Sequence, residues 1–259
     1  MHLTLHLTRA CNLRCDYCYA PPQADDGMSL NTGRQALQFG VRLTAGSCGI
    51  VFFGGEPLLH RDLIYQLVRD ARAMFPHGEG QFHFKLTTNG LLLDESLLEF
   101  AVENDVLIAL SCDGTQSAHD RHRRLPNGQG SFDLVLPKLR LLLAARPYSS
   151  VLVVVNPDTA DQLSDSVSFL LREGCRYLIV SLNYAAPWTE ADLAVLEQQY
   201  ERLGELYIAW SREDRKFYLS PIEVKLASHI LGQQARCRRC ELGLRQLSVD
   251  RQGYLYPCV

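Results

Sequence analysis

The stretch "HLTLHLTRACNLRCDYCY" (residues 2–19) runs a short apolar strand straight into three cysteines spaced C-x3-C-x2-C, at Cys11, Cys15 and Cys18. Three thiols so close together are one short of a closed tetrahedral metal site and cannot all pair into disulfides. A structural zinc site would need a fourth ligand, which Cys237, Cys240 or a histidine could supply. An iron–sulfur cubane would use the three thiolates on three irons and leave the fourth iron open. The second reading explains the odd number, because the missing ligand becomes the reactive position.

Outward from this stretch, short apolar runs alternate with segments of helical period. Strands are expected at 2–8, 49–53, 82–87, 106–111, 151–155 and 177–182, each rich in Leu, Ile, Val or Phe. Such runs suit strands buried on both faces of a parallel sheet. Helices are expected near 30–45, 61–75, 94–103, 132–145 and 161–173, the last carrying Leu163, Val167, Leu170 and Leu171 on one stripe and Gly174 at its end. This β-α rhythm implies an α/β fold, a partial (β/α)6 TIM-type barrel, with a doubly wound open sheet as the competitor. A C-terminal helical linker follows over 187–234. In it Thr189 and Asp192 open a long helix over 189–213 striped by Leu193, Leu196, Tyr200 and Leu203, and a second helix covers 221–232. Residues 235–259 form a cysteine-bearing β-hairpin turning at "DRQG" (250–253).

Composition sets the outer bounds. The 259 residues carry a net charge of −3, which gives no general reason to expect nucleic acid or a membrane surface as partner. The longest apolar runs, such as "VLVVV" at 151–155, are too short to span a bilayer, and no secretory signal precedes the cysteines. Nine cysteines in a chain read as cytoplasmic point to metal or redox chemistry. Cys48, Cys112 and Cys175 stand singly beside strands and are expected as small buried hydrophobes, Cys112 being the possible exception.

"CNLRCDYCY" at 11–19 resembles the signature of the radical S-adenosylmethionine (SAM) enzymes. "FFGGEPLL" (52–59), "LTTNG" (86–90), "LSCDG" (110–114) and "HDRHR" (119–123) follow in that family's order, the matches together covering roughly 2–183. The first three lie where a strand ends, the edge on which a parallel α/β barrel builds its active site. The resemblance implies a [4Fe–4S] cluster on Cys11, Cys15 and Cys18, with SAM chelating the open iron and its reductive cleavage giving a 5′-deoxyadenosyl radical. It places Tyr17 near the adenine. Gly54, Gly55 and Glu56 would meet the SAM amino group, and Asn89, Ser111 and Asp113 the ribose and carboxylate side. An arginine of 119–124 could pair with the SAM carboxylate, although a solvated charged loop is the plain reading of that segment.

Cys237, Cys240 and Cys258 resemble the start of the SPASM or twitch extension of radical SAM peptide maturases, which implies a possible auxiliary iron–sulfur cluster there, zinc being the other metal. In sulfatase-maturing relatives an aspartate base follows the corresponding last cysteine. Here Val259 stands at that position, which argues against formylglycine formation by that route. The expected function is radical modification of a peptide or small protein, as a thioether-, carbon–carbon-forming or epimerising maturase of ribosomally made peptides, with a flavodoxin or ferredoxin as electron donor. Radical chemistry on a small molecule is the alternative among enzymes, and a zinc-binding scaffold with a degenerate barrel the alternative outside them.

Overall fold

A computed structural model of the chain describes residues 1–19, 27–44, 47–75, 80–232 and 243–258. Nine strands and eight α-helices are described: β1 (His2–Thr8), α1 (Leu30–Thr44), β2 (Ser47–Gly54), α2 (Arg61–Ala73), β3 (Gln81–Thr88), α3 (Glu95–Glu103), β4 (Val106–Ser111), α4 (Gln116–His122), α5 (Phe132–Ala145), β5 (Ser150–Val155), α6 (Leu163–Arg172), β6 (Tyr177–Leu182), α7 (Glu190–Arg212), β7 (Tyr218–Leu219), α8 (Ser220–Leu231), β8 (Gln246–Val249) and β9 (Leu255–Tyr256). Every strand and helix read from the sequence is present within a few residues of its expected bounds. The mostly parallel α/β class is the expected one.

Two compact units divide the chain. One comprises Met1–Asn12, Tyr19–Ala109 and Cys237–Val259, the other Leu13–Cys18 and Leu110–Arg236. In the first, strand order is β4-β3-β2-β1-β8-β9. β1 pairs in parallel with β2 and, on its other edge, with β8, while β9 returns antiparallel to β8. Leu3, Leu5, Leu7, Ile50, Phe52, Phe84 and Leu86 are buried to 1% exposure or less and make the core beneath α1 and α2. Gly33 and Gly40 of α1 let that helix close down on Leu67 and on Cys48 with Leu3.

β3 corrects one expectation. Phe82, Phe84, Leu86 and Thr88 are buried, whereas Gln81 and His83 are exposed and Lys85 and Thr87 half-buried. This strand therefore alternates rather than being buried on both sides. The turn at 250–253 forms as read. The Asp250 side chain accepts from Gln252 N and Tyr254 N, both 2.9 Å, and Gly253 takes φ +93°.

In the second unit β5, β6 and β7 pair in parallel. Val151, Val153, Leu139, Leu142, Val167, Leu170, Leu178 and Leu203 are its core. α6 ends in a Schellman motif: Cys175 N–H donates to Leu170 O (3.0 Å), Gly174 N–H donates to Leu171 O (3.2 Å), and Gly174 takes φ +94°. Thr189 and Asp192 form the expected capping box of α7. The stripe of α7 is narrower than read. Leu196, Leu203 and Trp210 are buried at seven-residue spacing, while Leu193 is exposed. No helix among the described residues is long and apolar enough to cross a membrane.

Candidate active site

β1 ends where the cysteine stretch begins, and backbone hydrogen bonds set its exit. Ala10 N–H donates to Thr8 Oγ1 (2.9 Å), Gly55 N–H to Thr8 O and Glu56 N–H to Ala10 O (both 2.8 Å). The two glycines serve this approach. Gly54 sits at φ +132°, and a Cβ on Gly55 would overlap the Ala10 carbonyl. Glycine is required because the chain leaving β2 runs against the chain leaving β1.

Glu56 is fully buried. Its Oε1 accepts from Leu58 N (3.0 Å) and Thr88 Oγ1 (2.8 Å), and its Oε2 from Asn89 N (2.8 Å). The carboxyl thus staples the end of β2 to the end of β3, with all these bonds going to protein. Burial raises its pKa to about 7, against the pull of the donors. The folded chain therefore holds a proton that the unfolded chain loses above its ordinary value of 4.5. The stability this group contributes is complete below pH 4.5 and falls as pH rises to about 7, by up to about 1.4 kcal/mol per pH unit. Glu56→Gln is expected to remove that slope from a series of urea midpoints taken between pH 4.5 and 7.5. An unchanged slope would refute the assignment.

Asn89 follows β3 and is 8% exposed. Its Nδ2 donates to Asn12 Oδ1 at 2.7 Å and lies 3.7 Å from Cys11 Sγ, and its Oδ1 accepts from Leu91 N at 3.0 Å.

In the second unit the segment 13–18 is tied to the chain after α4. Arg14 N–H donates to Arg124 O (2.7 Å) and Asp16 N–H to His122 O (3.3 Å). Within the segment, Cys18 N–H donates to Cys15 O (3.2 Å). His122 Nδ1 lies 2.8 Å from Asp16 Oδ1, and its Nε2 lies 2.9 Å from Asp158 Oδ1. Asp113 gathers three donors. Tyr17 Oη (2.7 Å) and Arg123 Nε (2.9 Å) share its Oδ2, and Val154 N (3.0 Å) takes its Oδ1. The Arg123 guanidinium lies over the Tyr17 ring, 5.4 Å from its centroid. Burial opposes the charge of Arg123, yet the Asp113 carboxylate outweighs it and holds the guanidinium pKa above its ordinary value. Burial likewise drives the Tyr17 phenol well above its usual range.

The solvated-loop reading of 119–124 is overturned. Residues Gln116–His122 form α4, with His119 at 0% exposure and both His122 and Arg123 at 6%. Arg121 and Arg124 remain exposed, so Arg123 is the buried arginine of the three. His119 Nδ1 accepts from Asp113 N (3.3 Å) and its Nε2 faces Ser131 Oγ (3.0 Å), which donates to Arg123 O (2.8 Å). Burial lowers the His119 pKa to about 4, so the ring is a neutral prop beneath the ion pair.

The remaining expected residues fall as follows. Ser111 is half-buried at the end of β4. Cys48, Cys112 and Cys175 are buried, as read, and burial pushes the thiols of Cys112 and Cys175 up to about 12. Cys258 is exposed just after β9, while Cys237, Cys240 and Val259 lie outside the described residues. Thr88, Asn12, Asp16, His119 and His122 fall within the quoted motifs, but their pairing was not legible because the partners are distant in the chain, and Asp158 was not singled out at all.

The donor set fits a thiolate-bound cluster. Cys11, Cys15 and Cys18 lie on one stretch, the first two half-buried and the third exposed, and an amide N–H faces Cys11 Sγ. Among the described residues no group of three or more His, Cys, Asp or Glu is gathered as ligands of a single ion. A cubane asks for one thiolate per iron and not three on one metal.

Comparison with known proteins gives three kinds of likeness. Residues 5–170 match the family model described as the Radical SAM superfamily. The cysteine-type anaerobic sulfatase-maturating enzyme of Clostridium novyi is 25% identical over 263 residues, covering 96% of this chain and 70% of that one. The probable GTP 3′,8-cyclase of Methanocella arvoryzae is 27% identical over 265 residues, covering 99% and 80%. Among solved structures, native anSMEcpe with bound AdoMet and Cp18Cys peptide superposes with a TM-score of 0.86 at 21% identity, covering 99% of this chain and 73% of that chain.

Proposed function

Because the chain belongs to the radical SAM superfamily, whose members use a [4Fe–4S] cluster and SAM, we propose that this enzyme modifies a side chain of a peptide or protein. When bound, cluster and SAM supply reductive cleavage of the sulfonium and the carbon-centred radical that takes a hydrogen from the substrate. The observation that carries the reading is that three features each follow the end of a strand: the cysteine stretch after β1, the buried Glu56 staple joining the ends of β2 and β3, and the Asp113–Arg123 pair just after β4.

In this reading Cys11, Cys15 and Cys18 hold three irons. Gly54, Gly55 and Glu56 would meet the SAM ammonium, with the Glu56 carboxyl held in place by Leu58, Thr88 and Asn89. Ser111 and Asp113 line the ribose and carboxylate side with Asn89 nearby. Arg123 uses one of its five N–H donors on Asp113 and keeps others for a carboxylate. The Tyr17 hydroxyl is held by Asp113, and its ring would lie beside the adenine. A peptide substrate is supported by the sulfatase-maturating relative and by the peptide-bound structural neighbour. The bond made would be a thioether, a carbon–carbon link or an inverted centre, since Val259 stands where sulfatase maturation needs its base. Residues 187–234 act as linker, and Cys237, Cys240 and Cys258 as ligands of an auxiliary cluster. A reducing cytoplasm and a flavodoxin or ferredoxin would serve such thiols. Chemistry on a small molecule is the second reading, favoured by the cyclase relative.

Anaerobic reconstitution followed by dithionite and SAM is expected to release 5′-deoxyadenosine. Repeated with a uniformly deuterated peptide digest, the product gains one deuterium. Labelling from a deuterated metabolite extract instead favours the small molecule, and no 5′-deoxyadenosine from fully loaded protein overturns the assignment.

A further inference from the structure

We propose that Asn89 is a positioning residue that donates an N–H···S hydrogen bond to Cys11 and raises the reduction potential of the cluster bound there. The inference rests on the cluster assignment above and adds a residue that controls it. The geometry leaves the Asn89 amide one orientation. Its Oδ1 accepts from Leu91 N at 3.0 Å, so exchanging O and N would set a donor against a donor. The backbone cannot swing away either, because Asn89 N–H is held by Glu56 Oε2 at 2.8 Å. Nδ2 is thereby aimed at the start of the cysteine stretch. It reaches Asn12 Oδ1 at 2.7 Å and Cys11 Sγ at 3.7 Å. The residue is only 8% exposed, so water competes little for these bonds.

A thiolate that ligates iron carries part of the charge of the cluster. Adding one electron takes [4Fe–4S]2+ to [4Fe–4S]+ and puts more negative charge on the thiolate sulfurs, so a donor on the sulfur stabilises the reduced form more than the oxidised one. Of the cysteines in the stretch, Cys11 is the one the Asn89 amide reaches.

The test uses protein lacking Cys237, Cys240 and Cys258, so that one cluster reports. Wild-type, Asn89→Ala and Asn89→Asp versions of that background are reconstituted anaerobically, assayed for iron and sulfide, and titrated with dithionite under electron paramagnetic resonance. Asn89→Ala is expected to weaken reduction about tenfold, equivalent to ~59 mV for a one-electron couple. Asn89→Asp keeps the acceptor for Leu91 but turns an acceptor on the thiolate, and is expected to weaken reduction further. Equal potentials in all three at equal cluster content overturn the proposal. If Asn89→Ala takes up no cluster, the isosteric Asn89→Asp carries the test alone. Loss of the cluster from both variants reassigns Asn89 to a structural role and also overturns it. An unvaried protein that takes up no cluster defeats the cluster assignment itself, and this inference with it.

Discussion

Replacement of Cys15 by alanine is expected to abolish release of 5′-deoxyadenosine while leaving the fold intact. Two thiolates do not hold a cubane against dithionite and SAM, and the vacated iron has no other sulfur in the stretch. The local turn survives, because the bond that closes it runs from Cys18 N–H to Cys15 O and is backbone on both sides. Stability of the metal-free protein should fall by no more than about 1 kcal/mol, since Cys15 is half-buried although it lies near the Arg123 and Tyr17 side chains. Cys258→Ala should still release measurable 5′-deoxyadenosine. The measurements are iron and sulfide content, product release by chromatography, and a urea melt of the metal-free protein. Undiminished product from Cys15→Ala would defeat the site assignment.

The second large effect concerns stability. Asp113→Ala strands the Arg123 guanidinium, which is 8% exposed in its side chain and paired at 2.9 Å, without its carboxylate. Tyr17 Oη and Val154 N lose their acceptor in the same stroke. Removing one partner of a buried pair costs about 3–5 kcal/mol, mostly from the charge left behind. The double variant Asp113→Leu with Arg123→Met removes both charges and should regain most of that loss. It should not regain SAM binding, since the guanidinium is gone. Urea midpoints and SAM titration of the reconstituted protein separate the two effects. Equal destabilisation by the single and double variants would show that shape, and not the charge, sets the cost.

The sequence carried the local half of this architecture. Apolar runs located β1 to β6, helical stripes located α1 to α3 and α5 to α8, and Gly174 and Thr189 marked caps that form as read. The motifs at the strand ends were legible for the same reason, being contiguous. What stayed hidden depends on distant pairing. "HDRHR" looks like a solvated loop because its partners, Asp16, Asp113 and Asp158, lie up to 106 residues away. Glu56 reads as a carboxylate at a strand end, and its anchoring by Leu58, Thr88 and Asn89 depends partly on residues over thirty positions away. The "DRQG" hairpin was legible, but not that its first strand would lie beside β1.

That last pairing has a consequence for biogenesis. His2 N–H bonds to Arg245 O, and Gln246 Nε2 donates to Thr4 Oγ1 across 242 residues. While the ribosome is still working, the strand that delivers the first cysteine has a bare edge, open to wrong partners. It gains that neighbour only after residues 246–249 have been made. Nascent chains that stop short of β8 should therefore be poor acceptors of iron and sulfide, and metallation should wait for that strand.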